Sequence, residues 1–298
     1  MHKLIDFIRS DTRKILNSNL TLSKIQKIYF YSLIVEMIGM NIFRTKRELF
    51  YMAVSLFKTQ ATVDKLVKNI TLDFPMVTNL IKPSLKGLYC GKVDFYYNEV
   101  VMNNYNRIDF IPDLTSIDKV KFSDEFCLVI EKDSLFNYLC NFNRIKDCLL
   151  VTGKGYPCTN TIKFLEKVNI PIFGLFDFDP YGLNIYLNYK KHVNIERIGL
   201  SSEDILLNNS VKNNLQNKQN YDGNINILGY KVYELIPLSK YDYSMIKSVE
   251  NKSKELINEL TFLKGLGNKI ELEAMVRENC NFYEEYIKRK VTNILNKQ

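Results

Sequence analysis

Two carboxylates follow a short apolar run in the middle of the chain, and they are the residues whose chemistry is easiest to read. Residues 170–176 have the length and the β-branched and aromatic composition of a buried strand, and Asp177 and Asp179 come next. Because side chains alternate along an extended chain, both carboxylates point to one side. Pro180 and Gly182 then end the strand. At the carboxyl end of a parallel strand such a pair can bind a hard cation or move a proton, although an isolated Asp-x-Asp can also be a solvated helix-capping turn.

Two other predicted strands also end in polar groups. The strand predicted at residues 126–130 ends at Glu131, and the strand at residues 148–152 ends in a glycine-flanked lysine, Lys154. Glycines allow close approach of the backbone, which suits contact with a phosphate. Three successive strand ends of this kind favour a functional cluster. A Glu and two Asp supply hard oxygen ligands of the kind that Mg²⁺ takes, and this chemistry suits phosphoryl transfer.

Composition limits the other possibilities. The chain has 298 residues, 46% of them hydrophobic, which is enough for a large core and favours two domains. It has only two His, which argues against histidine catalysis or a zinc site. Six Cys without a C-x-x-C pair indicate reduced thiols of an intracellular protein. The apolar run at residues 28–40 contains Glu36 and is too short for a membrane span. The Asn-rich residues 208–226 are predicted to form a surface loop.

The positive charge is concentrated at the N-terminal side. Residues 1–110 hold 16 basic and 9 acidic residues, which is +7 of the net +8. This distribution predicts that the N-terminal part binds a polyanion such as nucleic acid. The alternative is that the lysines only solvate helix faces.

The basic part contains a candidate nucleophile. Helices are predicted at residues 1–16, 22–40 and 62–70, and Thr45 with Glu48 forms a capping box that starts another. Tyr51 lies in its second turn, and Arg47 is four residues earlier on the same face, so its guanidinium can reach the phenol. Tyr51 could equally be a core aromatic, as one of 19 Tyr. Short helices followed by the glycine-bearing segment at residues 86–91 predict a winged helix.

The reaction depends on what attacks the phosphate. No Walker motif or kinase glycine-rich loop is present, which argues against nucleotide hydrolysis within this chain. Water would make the protein a metal-dependent nuclease, whereas Tyr51 would form a covalent intermediate. The last third of the chain predicts scaffold helices at residues 235–249, 253–263 and 269–294. A helix in the last range would place Glu271 and Glu273 on different faces.

Several ordered motifs carry a family resemblance. They are KRELFY with SLFKTQ (residues 46–60), SLKGLYCG (84–91), LVIEKDSLFNYL (128–139), LLVTGKGYP (149–157), LFDFDPYGLNIY (175–186), RIGL (197–200) and KIELEAM (269–275). Across residues 25–291 the chain resembles the A subunit family of type VI DNA topoisomerases, whose eukaryotic members are the meiotic DNA double-strand-break transesterases. The resemblance implies an α/β multidomain protein with a winged-helix domain at residues 21–110 and a Toprim domain at residues 111–298, which has a parallel sheet and extra C-terminal helices. Residues 1–20 are left as an N-terminal helix, which could dock on a partner or pack on the winged-helix domain of its own chain.

The resemblance also implies roles for particular residues. Tyr51 is the nucleophile and Arg47 its phosphate-facing arginine, while Glu131, Asp177 and Asp179 bind Mg²⁺. Lys86 and Lys154 fall on basic positions that face DNA. Phe50 replaces a frequent tyrosine, Cys158 a usual Asp, Ile162 a usual Arg, and residues 191–193 a usual Gly-Ser.

The partners and location are implied in the same way. The implied partners are double-stranded DNA, a second copy of the chain, further recombination proteins and a separate ATP-binding partner of the B type. No membrane partner is implied, and the implied location is the nucleus. The product is a 5′-phosphotyrosyl link in a double-strand break that initiates meiotic recombination. The alternatives are the A subunit of an ATP-dependent topoisomerase, a Toprim nuclease and a DNA-binding scaffold without catalysis.

Overall fold

The computed structural model describes residues 2–82, 85–142, 145–206, 225–227, 230–232, 235–275 and 282–296. Two compact units divide the chain, one at Met1–Ser84 and the other at Leu85–Gln298. The first is helical and the second combines sheets with helices, so the predicted α/β multidomain class is confirmed. In the described part of the chain no helix is long and apolar enough to cross a membrane.

The N-terminal unit consists of short helices around one core. They are α1 (His2–Leu16), α2 (Leu22–Met40), α3 (Lys46–Tyr51), α4 (Val54–Phe57), α5 (Gln60–Asp73) and a 3-10 turn at Pro75–Asn79. The capping box that starts α3 is confirmed, because the Thr45 hydroxyl accepts from the Glu48 N–H at 3.1 Å and the Glu48 carboxylate accepts from the Thr45 N–H at 2.5 Å. It satisfies two N–H groups that the first turn would otherwise leave unpaired.

The apolar face of α1 lies in the core of its own unit, which is one of the two alternatives that the sequence left open for this helix. Leu4 and Ile8 are buried in the same cluster as Phe30 of α2. The Phe7 ring lies 4.9 Å from the Phe74 ring, centroid to centroid. The amphipathic pattern therefore identified a helix correctly, but the surface that covers it is intramolecular.

The C-terminal unit is built on sheets. Its strands are β1 (Leu88–Cys90), β2 (Val93–Tyr97), β3 (Val100–Asn103), β4 (Asp109–Phe110), β5 (Lys119–Phe122), β6 (Phe126–Ile130), β7 (Cys148–Thr152), β8 (Ile172–Leu175), β9 (Ile195–Gly199), β10 (Ile225–Ile227), β11 (Tyr230–Val232), β12 (Ile236–Pro237) and β13 (Asn268–Lys269). The main sheet has the order β4-β1-β7-β6-β8-β9, in which β7, β6, β8 and β9 are parallel. Strands β6, β7 and β8 are buried along their whole length, as expected when helices cover both faces of a parallel sheet.

A helix follows each of the four parallel strands. These helices are α6 (Asp133–Asn141), α7 (Thr159–Glu166), α8 (Pro180–Lys190) and α9 (Ser202–Leu206), and the chain continues with α10 (Lys240–Glu250), α11 (Ile257–Leu266) and α12 (Phe282–Leu295). Because β6 and β8 are neighbours in the sheet, the chain segments that follow them leave from the same edge. This topology brings Glu131 close to Asp177.

Two sequence predictions are wrong in detail. Residues 86–91 were expected to form the wing of the N-terminal module, but β1 pairs with β7 and β4 in the main sheet. Residues 269–294 were expected to be one helix, but Lys269 is in β13 and Leu272–Met275 is a 3-10 turn before α12 begins. The predicted loop at residues 208–226 lies outside the described residues, except for the first two residues of β10.

Candidate active site

Tyr51 presents its phenol to solvent at the end of α3. Its side chain is 58% exposed, so it is not a core aromatic. The Arg47 guanidinium donates to the Tyr51 hydroxyl from Nη2 at 3.0 Å and from Nε at 3.2 Å, and its central carbon lies 5.4 Å from the ring centroid. These are the contacts expected for an i, i+4 pair on a helix. An arginine in this position can also bind a phosphate that approaches the hydroxyl.

Glu131 and Asp177 meet at the carboxyl ends of β6 and β8. The Glu131 Oε2 atom accepts a hydrogen bond from the Asp177 N–H at 3.0 Å, and both side chains are buried. Asp179 is also buried and caps α8, since its Oδ1 atom accepts from the Gly182 N–H at 2.5 Å. Asp177 and Asp179, which were predicted to share one side of an extended segment, therefore have different hydrogen-bond partners.

Gly182 is required for this arrangement. A Cβ atom at this position would lie 2.5 Å from the Asp177 carbonyl oxygen and 2.9 Å from Glu131 Oε2. Real Cβ atoms do not approach backbone this closely, so α8 begins against the acids only because this residue has no side chain.

Two further acids belong to this cluster, and sequence reasoning missed them. Carboxylate oxygens of Asp177, Glu271 and Glu273 lie within 4.8 Å of one another. Lys269 lies in β13, and the Phe178 and Ile270 backbones pair with each other through a β-bridge just before the 3-10 turn at Leu272–Met275. No local pattern signalled this arrangement, because it depends on the pairing of residues that are far apart in the sequence.

A lysine joins these acids. The Lys132 ammonium lies 2.9 Å from Asp177 Oδ2 and 3.1 Å from Glu273 Oε2, and it also contacts Glu271. Burial lowers the pKa of Lys132, but the charge of Asp177 and the hydrogen bond to Glu271 raise it by more, so the pKa is above its ordinary value. The ammonium is therefore charged at neutral pH.

The pKa values of the acids reflect their burial. Burial raises the pKa of Glu131 to about 8, and the charge of Asp177 adds to this rise. Burial also raises the pKa of Asp177 to about 6, although Lys132 opposes the shift. The pKa of Asp179 is raised by burial as well, against the hydrogen bond from Gly182. Buried carboxylates with these shifts are stabilised in the ionised form by a nearby cation.

These oxygen donors fit a divalent metal ion. They are carboxylates, the ligands that hard cations take, and three of them already surround the positive charge of Lys132. Glu131, which directly precedes Lys132, and Asp179 add two buried carboxylates at the same strand ends.

Lys154 is near the carboxyl end of β6. The Gly155 N–H donates to the Glu131 carbonyl at 2.8 Å, and Lys154 and Gly155 both have positive φ, 53° and 81°. The Lys86 ammonium lies 3.5 Å from the Lys154 carbonyl oxygen. The structure thus brings Lys86, Lys154 and Glu131 to neighbouring segments, while Arg47 and Tyr51 belong to the other unit.

Two of the positions that depart from the family pattern, Cys158 and Ile162, lie at α7. Cys158 is the N-cap residue of that helix, with its thiol 3.2 Å from the Thr161 hydroxyl, and Ile162 is buried. The described thiols of Cys90, Cys127, Cys140, Cys148 and Cys158 are not in disulfide bonds.

A parallel sheet with a Glu after one strand and an Asp-x-Asp after its neighbour is the arrangement of a Toprim domain, the class implied by the sequence. The family model for the Toprim domain shared by Spo11 and the A subunit of topoisomerase 6 matches residues 126–291, and one described as "Type IIB DNA topoisomerase" matches residues 25–74. The chain belongs to this family of Spo11 and topoisomerase VI A subunits. The first match begins at Phe126, the first residue of β6, and the second contains Tyr51. A Toprim domain implies divalent metal binding, in agreement with the acids described above.

Relatives of this chain carry consistent names. The "Probable meiosis-specific protein SPO11 homolog" of Encephalitozoon cuniculi is 29% identical over 90% of this chain and 89% of its own length. The meiotic recombination protein SPO11 of Mus musculus is 28% identical over 81% of this chain and 61% of its own length. Rec12, a meiotic recombination protein of Schizosaccharomyces pombe, is 28% identical over 70% of this chain and 66% of its own length.

Proposed function

We propose that this protein is a DNA transesterase that makes the double-strand breaks of meiotic recombination. The observation that carries the proposal is the exposed Tyr51 hydroxyl held by Arg47 in a chain whose Toprim domain carries buried acids. Relatives named meiotic recombination proteins support the biological role. Action in the nucleus follows from that role.

In the reaction, the Tyr51 oxygen attacks a backbone phosphorus in line with the bond to the 3′ oxygen. A P–O bond to tyrosine forms as the P–O3′ bond breaks, giving a 5′-phosphotyrosyl enzyme and a free 3′-hydroxyl. The phenol loses its proton and the leaving 3′ oxygen gains one. Because one P–O bond forms as another breaks, the number of phosphodiester bonds is unchanged. Arg47, which donates to the Tyr51 hydroxyl, binds the phosphate on which negative charge develops.

The acids supply the second half of the site. Glu131 and Asp177, with Asp179 beside them, would hold Mg²⁺, which when bound offsets charge on the phosphate and orients the strand. Lys86 and Lys154 would bind DNA phosphates, and Lys154 is presented by a tight turn with positive φ. In the family the tyrosine of one protomer works with the acids of another, so we propose that a homodimer forms two such sites and cuts both strands. An ATP-binding partner of the B type, together with other recombination proteins, would complete the assembly.

The test is a covalent protein–DNA adduct that survives denaturant. The full chain, with its partners where these are needed, is incubated with duplex DNA and Mg²⁺, denatured and assayed for DNA-linked protein. We expect an adduct from the wild type and none from Tyr51→Phe, which removes one oxygen and almost no volume. Tyr241→Phe is the matched control, because Tyr241 is 65% exposed and also has a cation, Lys240, 5.1 Å from its ring centroid.

Other outcomes separate the alternative functions. Cleavage without an adduct would identify a metal-dependent nuclease that uses water. DNA binding with neither cleavage nor adduct, in the presence of every partner, would identify a scaffold. ATP-dependent strand passage and religation would identify a component of a topoisomerase.

A further inference from the structure

Lys132 occupies the position that a cation would take among the acids of the C-terminal unit. It directly follows Glu131, in the extended residue that precedes α6. Its ammonium contacts the carboxylates of Asp177, Glu271 and Glu273, and 29% of its side chain is exposed. Three carboxylates this close repel one another unless a positive charge lies between them.

Contacts other than those of Lys132 also position the segment that carries these acids. The Leu272 N–H donates to Asp177 Oδ1 at 2.8 Å, and the Phe178 and Ile270 backbones exchange two hydrogen bonds, at 2.9 and 3.1 Å. The Ser134 hydroxyl donates to Glu273 at 2.5 Å. Backbone contacts therefore hold this acid-bearing segment, and the contribution of Lys132 is its charge.

We propose that Lys132 is an internal counter-ion that balances these carboxylates before metal binding and competes with the divalent cation for them. This inference rests on the metal assignment in the proposed function. An ammonium on a flexible four-carbon chain can leave the cluster without any change in the backbone. Its departure leaves Asp177, Glu271 and Glu273 as hard oxygen ligands beside Glu131. Lys132 thus sets the metal concentration at which the site fills.

Direct metal binding to the full-length protein tests this. Mn²⁺ is titrated by calorimetry, at fixed pH and salt, into the wild type, Lys132→Met, Lys132→Arg and Asp177→Ala. Since a unit positive charge is removed from a few ångströms away, we expect Lys132→Met to bind Mn²⁺ about tenfold more tightly. Lys132→Arg keeps the charge and should bind no more tightly than the wild type. Lys92→Met is the control, since Lys92 pairs with Asp147 at 2.6 Å at a similar exposure but not with these acids. Unchanged or weaker binding by Lys132→Met would overturn the inference.

A second measurement uses the unaltered protein, in case the methionine variant does not fold. Amine-reactive labelling of each lysine is followed by mass spectrometry at increasing Mn²⁺. We expect labelling of Lys132 to increase several-fold as the site fills, while labelling of Lys92 stays constant. Constant labelling of Lys132 at saturating Mn²⁺ would refute displacement.

Asp177→Ala separates this inference from the proposed function. If it binds Mn²⁺ as well as the wild type does, the metal assignment itself is wrong. If it loses binding while Lys132→Met binds like the wild type, only the role of Lys132 fails.

Discussion

Glu131→Gln should stabilise the metal-free protein at high pH. The pKa of Glu131 rises from 4.5 to about 8, mainly because the carboxylate is buried and secondly because of the charge of Asp177. The folded protein therefore binds a proton at this position more tightly than the unfolded chain does. The resulting stability is fully present below pH 4.5 and is lost as the pH rises through about 8.

The size of the effect follows from the shift. At about 1.4 kcal/mol per pKa unit, ionising Glu131 costs roughly 4 to 5 kcal/mol, a large part of the ~5–15 kcal/mol that stabilises a typical domain. Gln keeps the shape and an oxygen that can accept from the Asp177 N–H, but it carries no charge. We expect it to be more stable than the wild type by about 2–4 kcal/mol at pH 8.5 and nearly equal at pH 4.5.

The assay is urea unfolding in EDTA at these two pH values. The difference between Glu131→Gln and the wild type isolates Glu131, because the other carboxylates are common to both proteins. Their pKa values shift in both directions: burial raises that of Asp177, whereas hydrogen bonds from Ser134 and Lys132 lower that of Glu273 despite its burial. Glu166→Gln, at an exposed position of α7, is the control. Lower stability of Glu131→Gln than of the wild type at pH 8.5 would refute the reasoning.

Three more predictions concern the packing and the DNA contacts. Gly182→Ala should lower the free energy of unfolding by about 1–3 kcal/mol and weaken Mn²⁺ binding, because the added Cβ would contact Asp177 and Glu131. We expect this loss although Ala favours a helix. Mn²⁺ affinity equal to that of the wild type would contradict it. Leu4→Ala should cost about 2–4 kcal/mol, whereas Leu16→Ala, 57% exposed on the same helix, should cost little; equal losses would show that α1 is not part of the core. Lys154→Gln should weaken DNA binding to all duplex sequences alike and reduce the slope of log binding constant against log salt concentration by about 1. Lys264→Gln is the control. An unchanged slope for Lys154→Gln would show that Lys154 does not contact DNA.

Local patterns predicted what local physics determines. The capping box placed α3 and so placed Tyr51 beside Arg47, and the apolar runs located the strands that end at Glu131 and Asp177. Capping and i, i+4 contacts involve residues close in sequence, which is why the sequence alone was sufficient there.

Long-range pairing explains what was missed. A three-residue strand such as β1 carries no signal of its partner, so its place beside β7 could not be read from residues 86–91. Glu271 and Glu273 were separated by an assumed helix, whereas the β-bridge between Phe178 and Ile270 holds the residue before Glu271 beside the segment that carries Asp177. The helix α1 was predicted correctly, but the identity of the surface that buries Leu4 depends on tertiary packing.

The most direct test of the account is to identify the residue that carries DNA after cleavage. The covalent complex is digested with nuclease and trypsin, and the nucleotide-bearing peptide is sequenced by mass spectrometry. Trypsin cuts the protein after Arg47 and Lys58 and releases the peptide ELFYMAVSLFK, which contains Tyr51 as its single tyrosine. We predict that the nucleotide is attached through its 5′ phosphate to Tyr51 of this peptide. Attachment to a different residue would contradict the central claim, even if the acids bind metal as described.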